Sequence, residues 1–73
     1  MVFSAIRDIL AKNLNVDSSL ITMQSSFEDL QIDSLYLIEL VYSVEELYGI
    51  KVEQGAVFNT VSDLVEYVEK NIK

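Results

Sequence analysis

Aspartate and serine stand side by side at Asp33-Ser34, immediately before the most regular helical pattern of the chain. Either side chain could cap that helix by accepting a hydrogen bond from a backbone N–H, which is the more common role of such residues. A serine hydroxyl at a helix N-terminus could also carry a phosphodiester, because free N–H groups and the positive end of the helix dipole stabilise negative charge. Ser34 is therefore a candidate for covalent attachment as well as for capping.

Hydrolysis by Ser34 would require a general base, and the sequence does not supply one. The 73 residues include no His and no Cys, and no Lys lies between positions 13 and 50. Imidazole, thiol and disulfide chemistry are excluded, and a self-contained serine hydrolase is disfavoured. We expect a protein that is not an enzyme, with no catalytic residue and no metal site.

Three amphipathic helices are predicted to position these residues. In each, apolar residues recur at steps of three and four, which places their side chains on one helix face. The predicted faces are Phe3, Ile6, Ile9, Leu10 and Leu14 in the first helix, Leu37, Leu40, Val41, Val44, Leu47 and Tyr48 in the second, and Val61, Leu64, Val65, Val68 and Ile72 in the third.

Residues with known capping preferences mark the helix ends. Gly49 follows the second helix, where a C′ glycine is typical. Thr60 and Asp63 predict a capping arrangement at the start of the third helix, and Lys70 and Lys73 suit the dipole at its C-terminal end.

The connections between the helices differ in length. The periodicity fails from Asn15 to about Asp33, which predicts a long, ordered loop anchored by apolar side chains. Ile50–Val52 has no strand to pair with, and Gln54–Phe58 predicts one short helical turn, weakened by Gly55. The expected fold is all-α: a small four-helix bundle with three long helices, one short helix and a long first loop, in a single domain over residues 1–73. The expected loop anchors are Leu20, Ile21, Met23, Phe27 and Leu30.

Negative charge is concentrated around the second helix. The net charge of the chain is −7, and residues 28–53 hold seven acidic residues against Lys51 alone, a net charge of −6. Glu39, Glu45 and Glu46 have no interleaved lysines, which costs helix stability. We interpret this helix as a docking surface for basic proteins, because such charge repels nucleic acid and anionic lipid.

Membrane insertion and secretion are not expected. The longest apolar run is Leu35-Tyr36-Leu37-Ile38, far short of the roughly 20 residues that span a membrane, and the first residues lack a signal-peptide pattern. The expectation is a soluble, cytoplasmic monomer.

Tyr36 and Tyr42 lie off the core face about 120° apart on the helix, so we expect no shared aromatic patch, whereas Tyr48 is expected to pack against the core.

The central part of the chain resembles the acyl carrier protein family, and the resemblance extends over the whole chain. It rests on four short motifs in order: Phe27-Glu28-Asp29-Leu30, Asp33-Ser34-Leu35, Glu39-Leu40-Val41 and Glu45-Glu46-Leu47-Tyr48. The resemblance implies a four-helix fold with a 4′-phosphopantetheine arm on Ser34. Asp33 would help the phosphopantetheinyl transferase to place its metal-bound coenzyme A.

By this resemblance the chain carries acyl groups as thioesters for fatty-acid, polyketide or related biosynthesis. Its further partners would be acyl-loading and acyl-transferring enzymes with basic docking patches. The implied docking residues are Leu35, Tyr36, Glu39, Tyr42, Glu45 and Glu46, and an acyl pocket would be lined by Val44, Val52, Val57, Phe58 and Leu64.

Two departures from the family pattern bear on the kind of carrier. Gln31 stands where the family usually has Gly, and Tyr36 where fatty-acid carriers commonly have an acidic residue; a specialised carrier would fit both. An aminoacyl or peptidyl load stays open, although Gln31-Ile32-Asp33 does not match the Gly-Gly-x-Ser approach of peptidyl carriers. The third possibility is an unmodified acidic helical interaction protein, in which Ser34 is only a cap.

Overall fold

The computed structural model describes residues 2–53 and 55–72. It contains three α-helices, α1 (Val2–Leu14), α2 (Ser34–Tyr48) and α3 (Val61–Asn71), and one short 3-10 helix, Ser18–Leu20. Over the described ranges there is no strand, and Ser26 pairs with Thr60 through one isolated antiparallel bridge. The predicted all-α class and small helical bundle are confirmed.

The short helix lies in a different connection from the one expected. The sequence predicts it at Gln54–Phe58, but residues 55–58 are not helical and Gln54 lies outside the described residues. Gly55 has a φ of 92°, which an α-helix does not allow. The 3-10 helix instead follows α1, where the Asp17 carboxylate accepts a hydrogen bond from the Ser19 backbone N–H at 2.9 Å.

The predicted ends of α2 and α3 are confirmed by their capping geometry. Gly49 has a φ of 66°, and its N–H donates to the Glu45 carbonyl oxygen at 2.8 Å. At the start of α3 the Asp63 N–H donates to Thr60 Oγ1 at 3.2 Å, and the Thr60 N–H donates to Asp63 Oδ2 at 3.1 Å. Lys70 lies in the last turn of α3, while Lys73 is outside the described residues.

The core forms where the apolar faces of the three helices meet. Most of the predicted face residues are buried or half-buried against it. Leu47 is an exception, since its side chain is 56 % exposed; it lies about 60° around the helix from Val44, at the rim of the buried face and next to the last residue of α2. The fully buried helix residues are Ile6 and Leu10 of α1, Leu40 and Val44 of α2, and Val61, Leu64, Val65 and Val68 of α3.

The long first connection is ordered by its own anchors. Ile21 and Phe27 are buried, and Met23 and Leu30 pack against the core as expected, but Leu20 is 69 % exposed and anchors nothing. Backbone hydrogen bonds also join this loop to the segment before α3, from the Phe27 N–H to the Asn59 oxygen and from the Val61 N–H to the Ser25 oxygen, both at 2.9 Å.

Among the described helices, none combines the length and the apolar character that crossing a bilayer would require.

Candidate functional site

At the N-terminus of α2, the structure shows which of Asp33 and Ser34 caps the helix. Asp33 is the N-cap, and its Oδ1 accepts a hydrogen bond from the Tyr36 backbone N–H at 2.8 Å. Ser34 is the first helical residue and is exposed. Its hydroxyl is in none of the hydrogen bonds formed among residues 2–53 and 55–72, so it is free for attachment.

The loop before Asp33 is held in place by local hydrogen bonds. Ser26 Oγ accepts from the Asp29 N–H at 2.9 Å, and the Phe27 oxygen accepts from the Ile32 N–H at 2.9 Å. Gln31 has a φ of 60°, a left-handed conformation that favours glycine. The position where the related family usually has Gly therefore keeps the backbone conformation that glycine suits.

A shallow depression of about 330 Å³ adjoins Ser34. Ser34, Asp33 and Leu37 form one side of it, and Phe58 and Asn59 form another. The Phe58 ring is packed edge-to-face on Tyr67, with 5.5 Å between the ring centroids. A group attached to Ser34 would therefore lie next to the Phe58 side chain.

The five residues expected to line an acyl pocket do not surround one cavity in the described structure. Val44 and Leu64 are fully buried, and Phe58 is buried at the edge of the Ser34 depression. Val57 is 76 % exposed, so the expectation that it faces the interior was wrong. Residues 55–58 are not helical, and Val57 lies at the surface, where it borders a depression together with Phe58, Asp63 and Tyr67.

The solvent-facing side of α2 combines apolar and acidic side chains. Leu35, Ile38 and Tyr42 are exposed large apolar residues, and Glu39 and Glu46 are exposed beside them. Their spacing from Leu35 is three, four, seven and eleven residues, which places all five on one face of the helix. We call these five residues the α2 exposed face. Ile38 was not singled out from the sequence, although its three-residue spacing from Leu35 places it on this face.

Glu45 differs from its neighbour Glu46 in its contacts. Glu45 is half-buried, and its Oε2 accepts a hydrogen bond from the Val52 backbone N–H at 2.6 Å. Glu46 is exposed, and its carboxylate accepts no hydrogen bond from the described residues. The Glu45 carboxylate therefore fastens the segment after Gly49 to α2.

Tyr36 and Tyr42 border one groove between α1 and α2, of about 500 Å³. Glu39 and Ser43 lie between the two tyrosines on the helix, so the tyrosines border the groove from positions about 120° apart. Tyr36 also packs against the core, and its hydroxyl is buried without a hydrogen-bond partner in the described part of the chain. We call this the α1–α2 groove; it is lined by Asn13, Tyr36, Glu39, Leu40, Tyr42 and Ser43.

Comparison with known proteins identifies the family to which this arrangement belongs. A family model described as a phosphopantetheine attachment site matches residues 4–68, which include Ser34 and all of α2. The chain belongs to this family of phosphopantetheine-dependent acyl carriers. Its cofactor is 4′-phosphopantetheine, and the exposed, unbonded hydroxyl of Ser34 at a helix N-terminus fits the attachment of such a phosphodiester-linked group.

Several curated acyl carrier proteins resemble this carrier over nearly their full length. The acyl carrier protein of Streptococcus pneumoniae serotype 4 is 38 % identical over 72 residues, covering 99 % of this chain and 97 % of the relative. The acyl carrier protein of Aster yellows witches'-broom phytoplasma is 40 % identical over 74 residues, covering 97 % of both chains. That of Lactococcus lactis subsp. cremoris is 37 % identical over 70 residues, covering 96 % of both chains.

Proposed function

We propose that Ser34 bears the phosphopantetheine arm and that the chain presents arm-bound acyl groups to other enzymes without itself catalysing a reaction. One observation at the start of α2 carries this proposal: Asp33 caps the helix, and the Ser34 hydroxyl stays exposed. The arm supplies a thiol that holds acyl groups as thioesters. The chain supplies its point of attachment and the surface that partners recognise.

The residues around Ser34 have separate tasks in this proposal. The first N–H groups of α2 have no partner within the helix, so they stabilise the negative phosphodiester on Ser34. Asp33 uses Oδ1 for the cap, while its Oδ2 accepts no hydrogen bond within the described ranges and is available to the metal-bound coenzyme A of the transferase. Phe58 borders the depression next to Ser34 and offers an apolar contact to the arm or its load.

Docking on partners takes place on the α2 exposed face. Leu35 and Tyr42 supply apolar area, and Glu39 and Glu46 supply negative charge for basic patches on the transferase and on acyl-loading and acyl-transferring enzymes. Such charge pairs at the rim of an interface act mainly on the association rate. Glu45 contributes its charge to the same helix, but its carboxylate is already engaged by Val52.

The proposed load is an acyl chain, not an aminoacyl or peptidyl group. The relatives are named acyl carrier proteins, and the acidic α2 favours the fatty-acid or polyketide side. Val44, Val52, Phe58 and Leu64 stay the proposed lining of a pocket for that chain. Because Val44 and Leu64 are fully buried, the helices would have to separate locally to admit it.

The experiment that tests attachment is the intact mass of the protein after incubation with coenzyme A and a promiscuous phosphopantetheinyl transferase. Wild type should gain one arm, and Ser34→Ala should gain none. Ser43→Ala is the matched control, because Ser43 is another exposed serine of α2 and its loss should leave the mass gain unchanged. An arm on Ser34→Ala, or none on wild type while a control carrier is modified, would overturn the proposal.

A further inference from the structure

The depression beside Ser34 is lined by apolar side chains and by a side-chain amide. Leu37 and Phe58 contribute apolar surface, and Asn59 follows Phe58 along the chain. Asn59 is exposed, and its side chain forms no hydrogen bond with the described residues. The depression therefore offers an apolar contact together with N–H donors and a carbonyl acceptor that are free to bind another group.

The side of the depression formed by Phe58 and Asn59 is held in place by the rest of the fold. The Asn59 backbone N–H donates to Asp63 Oδ2 at 2.9 Å, and the Asn59 carbonyl oxygen accepts from the Phe27 N–H at 2.9 Å. The Phe58 ring packs edge-to-face on Tyr67, with 5.5 Å between the ring centroids. A surface that is already ordered loses little conformational freedom when a group binds to it.

The charges around the depression favour a neutral occupant over an anionic one. Two of its lining residues are acidic, Glu28 and Asp33, and none is basic. A carboxylate or a second phosphate inside the depression would be repelled by these two side chains. The phosphate of the arm is instead stabilised on Ser34 itself, by the N–H groups of the first turn of α2.

We propose that this depression is the resting site of the pantoyl group of the phosphopantetheine arm. The pantoyl group directly follows the phosphate, and it is neutral, with two methyl groups on one carbon, a hydroxyl and an amide carbonyl. Its methyl groups match the apolar surface of Leu37 and Phe58, and the Asn59 amide donates to its carbonyl oxygen or accepts from its hydroxyl. Because Ser34 lines the same depression, attachment brings this part of the arm closest to it. The inference rests on the proposed function, since it specifies where the arm lies once Ser34 carries it.

A resting site for the pantoyl group would restrict the movement of the arm without fixing its far end. With that group held beside Phe58 and Asn59, the arm pivots beyond the pantoyl carbonyl and not at Ser34. The thiol and its acyl group would then explore a smaller volume around the carrier. Two methyl groups and one amide form a small contact, so a partner enzyme can displace the arm from it.

Nuclear magnetic resonance of the protein with its arm attached tests this site. The pantoyl methyl resonances of the modified protein are compared with those of free coenzyme A. We expect nuclear Overhauser contacts from these methyl groups to the side chains of Leu37 and Phe58, and a displacement of the methyl resonances by the Phe58 ring. Resonances at the positions of free coenzyme A, without such contacts, would overturn the inference. Contacts to Leu35 and Ile38 would place the arm on the α2 exposed face and would overturn it as well.

A modified arm separates the pantoyl contact from the effect of the phosphate. A coenzyme A analogue whose two pantoyl methyl groups are replaced by hydrogen leaves the phosphodiester on Ser34 and removes the apolar contact. The backbone amide shifts that attachment causes at Leu35 and Tyr36 should be the same for both arms. Those at Phe58 and Asn59 should fall by about half or more with the analogue, because the methyl groups supply the apolar part of the contact. Equal shifts at Phe58 and Asn59 with the two arms would contradict the proposed site.

Asn59→Ala tests the amide with little risk to the fold, since only the backbone of Asn59 is hydrogen-bonded to the described residues. The variant should weaken the contacts between the pantoyl methyl groups and Phe58 severalfold. Asn13→Ala is the matched control, because Asn13 is another exposed asparagine and does not line the depression. Contacts of unchanged strength in Asn59→Ala would show that the amide does not hold the pantoyl group.

The result for this site can be separated from the result for attachment. A protein that gains the mass of one arm, but whose methyl resonances match those of free coenzyme A, leaves the proposed function intact and overturns only the resting site. A protein that gains no arm while a control carrier is modified overturns both.

Discussion

The Asp33 carboxylate accepts a hydrogen bond from the Tyr36 backbone N–H at 2.8 Å across the first turn of α2. This bond satisfies one of the N–H groups that a helix leaves unpaired at its start. Asp33 is thus the residue that caps the helix. The neighbouring Ser34 hydroxyl makes no hydrogen bond within the described chain. Loss of the Ser34 hydroxyl should therefore leave the stability of the helix nearly unchanged.

Asp33→Ala and Ser34→Ala should differ sharply in their effect on folding. Asp33→Ala removes the cap and should lower the free energy of unfolding by about 1 kcal/mol. Ser34→Ala should change it by less than about 0.5 kcal/mol, as an exposed substitution without a lost contact does. Denaturant unfolding of both variants measures this. A larger loss for Ser34→Ala than for Asp33→Ala would show that Ser34 takes part in capping.

Glu45→Ala and Glu46→Ala form a matched pair on adjacent positions of α2. Glu45 Oε2 accepts from the Val52 N–H at 2.6 Å, whereas Glu46 is exposed without such a bond. We expect Glu45→Ala to be less stable than Glu46→Ala by about 1 kcal/mol. Hydrogen exchange at the Val52 amide should also accelerate in Glu45→Ala alone. Equal exchange in the two variants would mean that this hydrogen bond does not hold the segment after Gly49.

The capping box of α3 predicts a loss of stability in acid. Hydrogen bonds from the backbone N–H groups of Asn59 and Thr60 lower the pKa of Asp63 below its ordinary value of 3.8. A carboxyl whose pKa is lower in the folded state stabilises the fold above the unfolded pKa, and that contribution is lost as the pH falls through the folded pKa. The contribution of Asp63 should therefore be fully present near neutrality and fade below pH 3.8.

Melting temperatures of Asp63→Asn and wild type as a function of pH measure that contribution. The variant should melt lower near neutral pH, and the difference should shrink as the pH falls below 3.8. Asp29→Asn is the control, because Asp29 is exposed and its carboxylate accepts no hydrogen bond from the described residues. A difference for Asp63→Asn that does not depend on pH would contradict a role for its ionised form.

Added salt should raise the melting temperature. Residues 28–53 carry a net charge of −6, and the one ion pair within the described ranges, between Arg7 and Asp8, lies outside that segment. Screening reduces the repulsion among these carboxylates. Thermal unfolding between low and moderate sodium chloride measures the increase, which should be smaller in Glu39→Lys. A melting temperature that is insensitive to salt would show that the acidic residues do not repel one another appreciably.

Longer acyl chains should stabilise the carrier if they enter the proposed pocket beside Val44 and Leu64. Each buried methylene is worth about 0.8 kcal/mol before the cost of opening the helices. The octanoyl form should therefore melt higher than the acetyl form, and Phe58→Ala, at the edge of the Ser34 depression, should reduce the difference. Equal melting temperatures for the two loaded forms would indicate that the chain stays outside the fold.

Several features of the fold could be read from local sequence. The three helices, the glycine end of α2 at Gly49 and the capping box of Thr60 and Asp63 are all where their residues predict them. The same is true of Ser34 at the start of α2 and of the acidic charge along it. These features depend on periodicity and on hydrogen bonds between residues within four positions of each other, so neighbours along the chain are sufficient to specify them.

The exposure of individual side chains and the contacts between distant segments depend on which elements pack over a given helix face. The periodicity of the sequence does not specify that packing. Leu47 has the spacing of a core residue but is exposed at the rim of the buried face, because the described part of the chain leaves that rim uncovered. Val57 faces outward because Gly55 turns its segment out of a helix. Glu45 could be recognised as a tether only once the chain beyond Gly49 folds back and brings the Val52 N–H to its carboxylate.

The sequence by itself determined the three helices, the ends of α2 and α3, the position of Ser34 at the start of α2 and the negative charge along that helix, because each follows from the types and spacing of nearby residues. Only the tertiary structure decided that Tyr36 and Tyr42 share a groove with Asn13 of α1, and that the Tyr36 hydroxyl is buried there without a partner among the described residues. The physical reason is that a groove exists between two helices, and its shape is fixed by their packing across the fold.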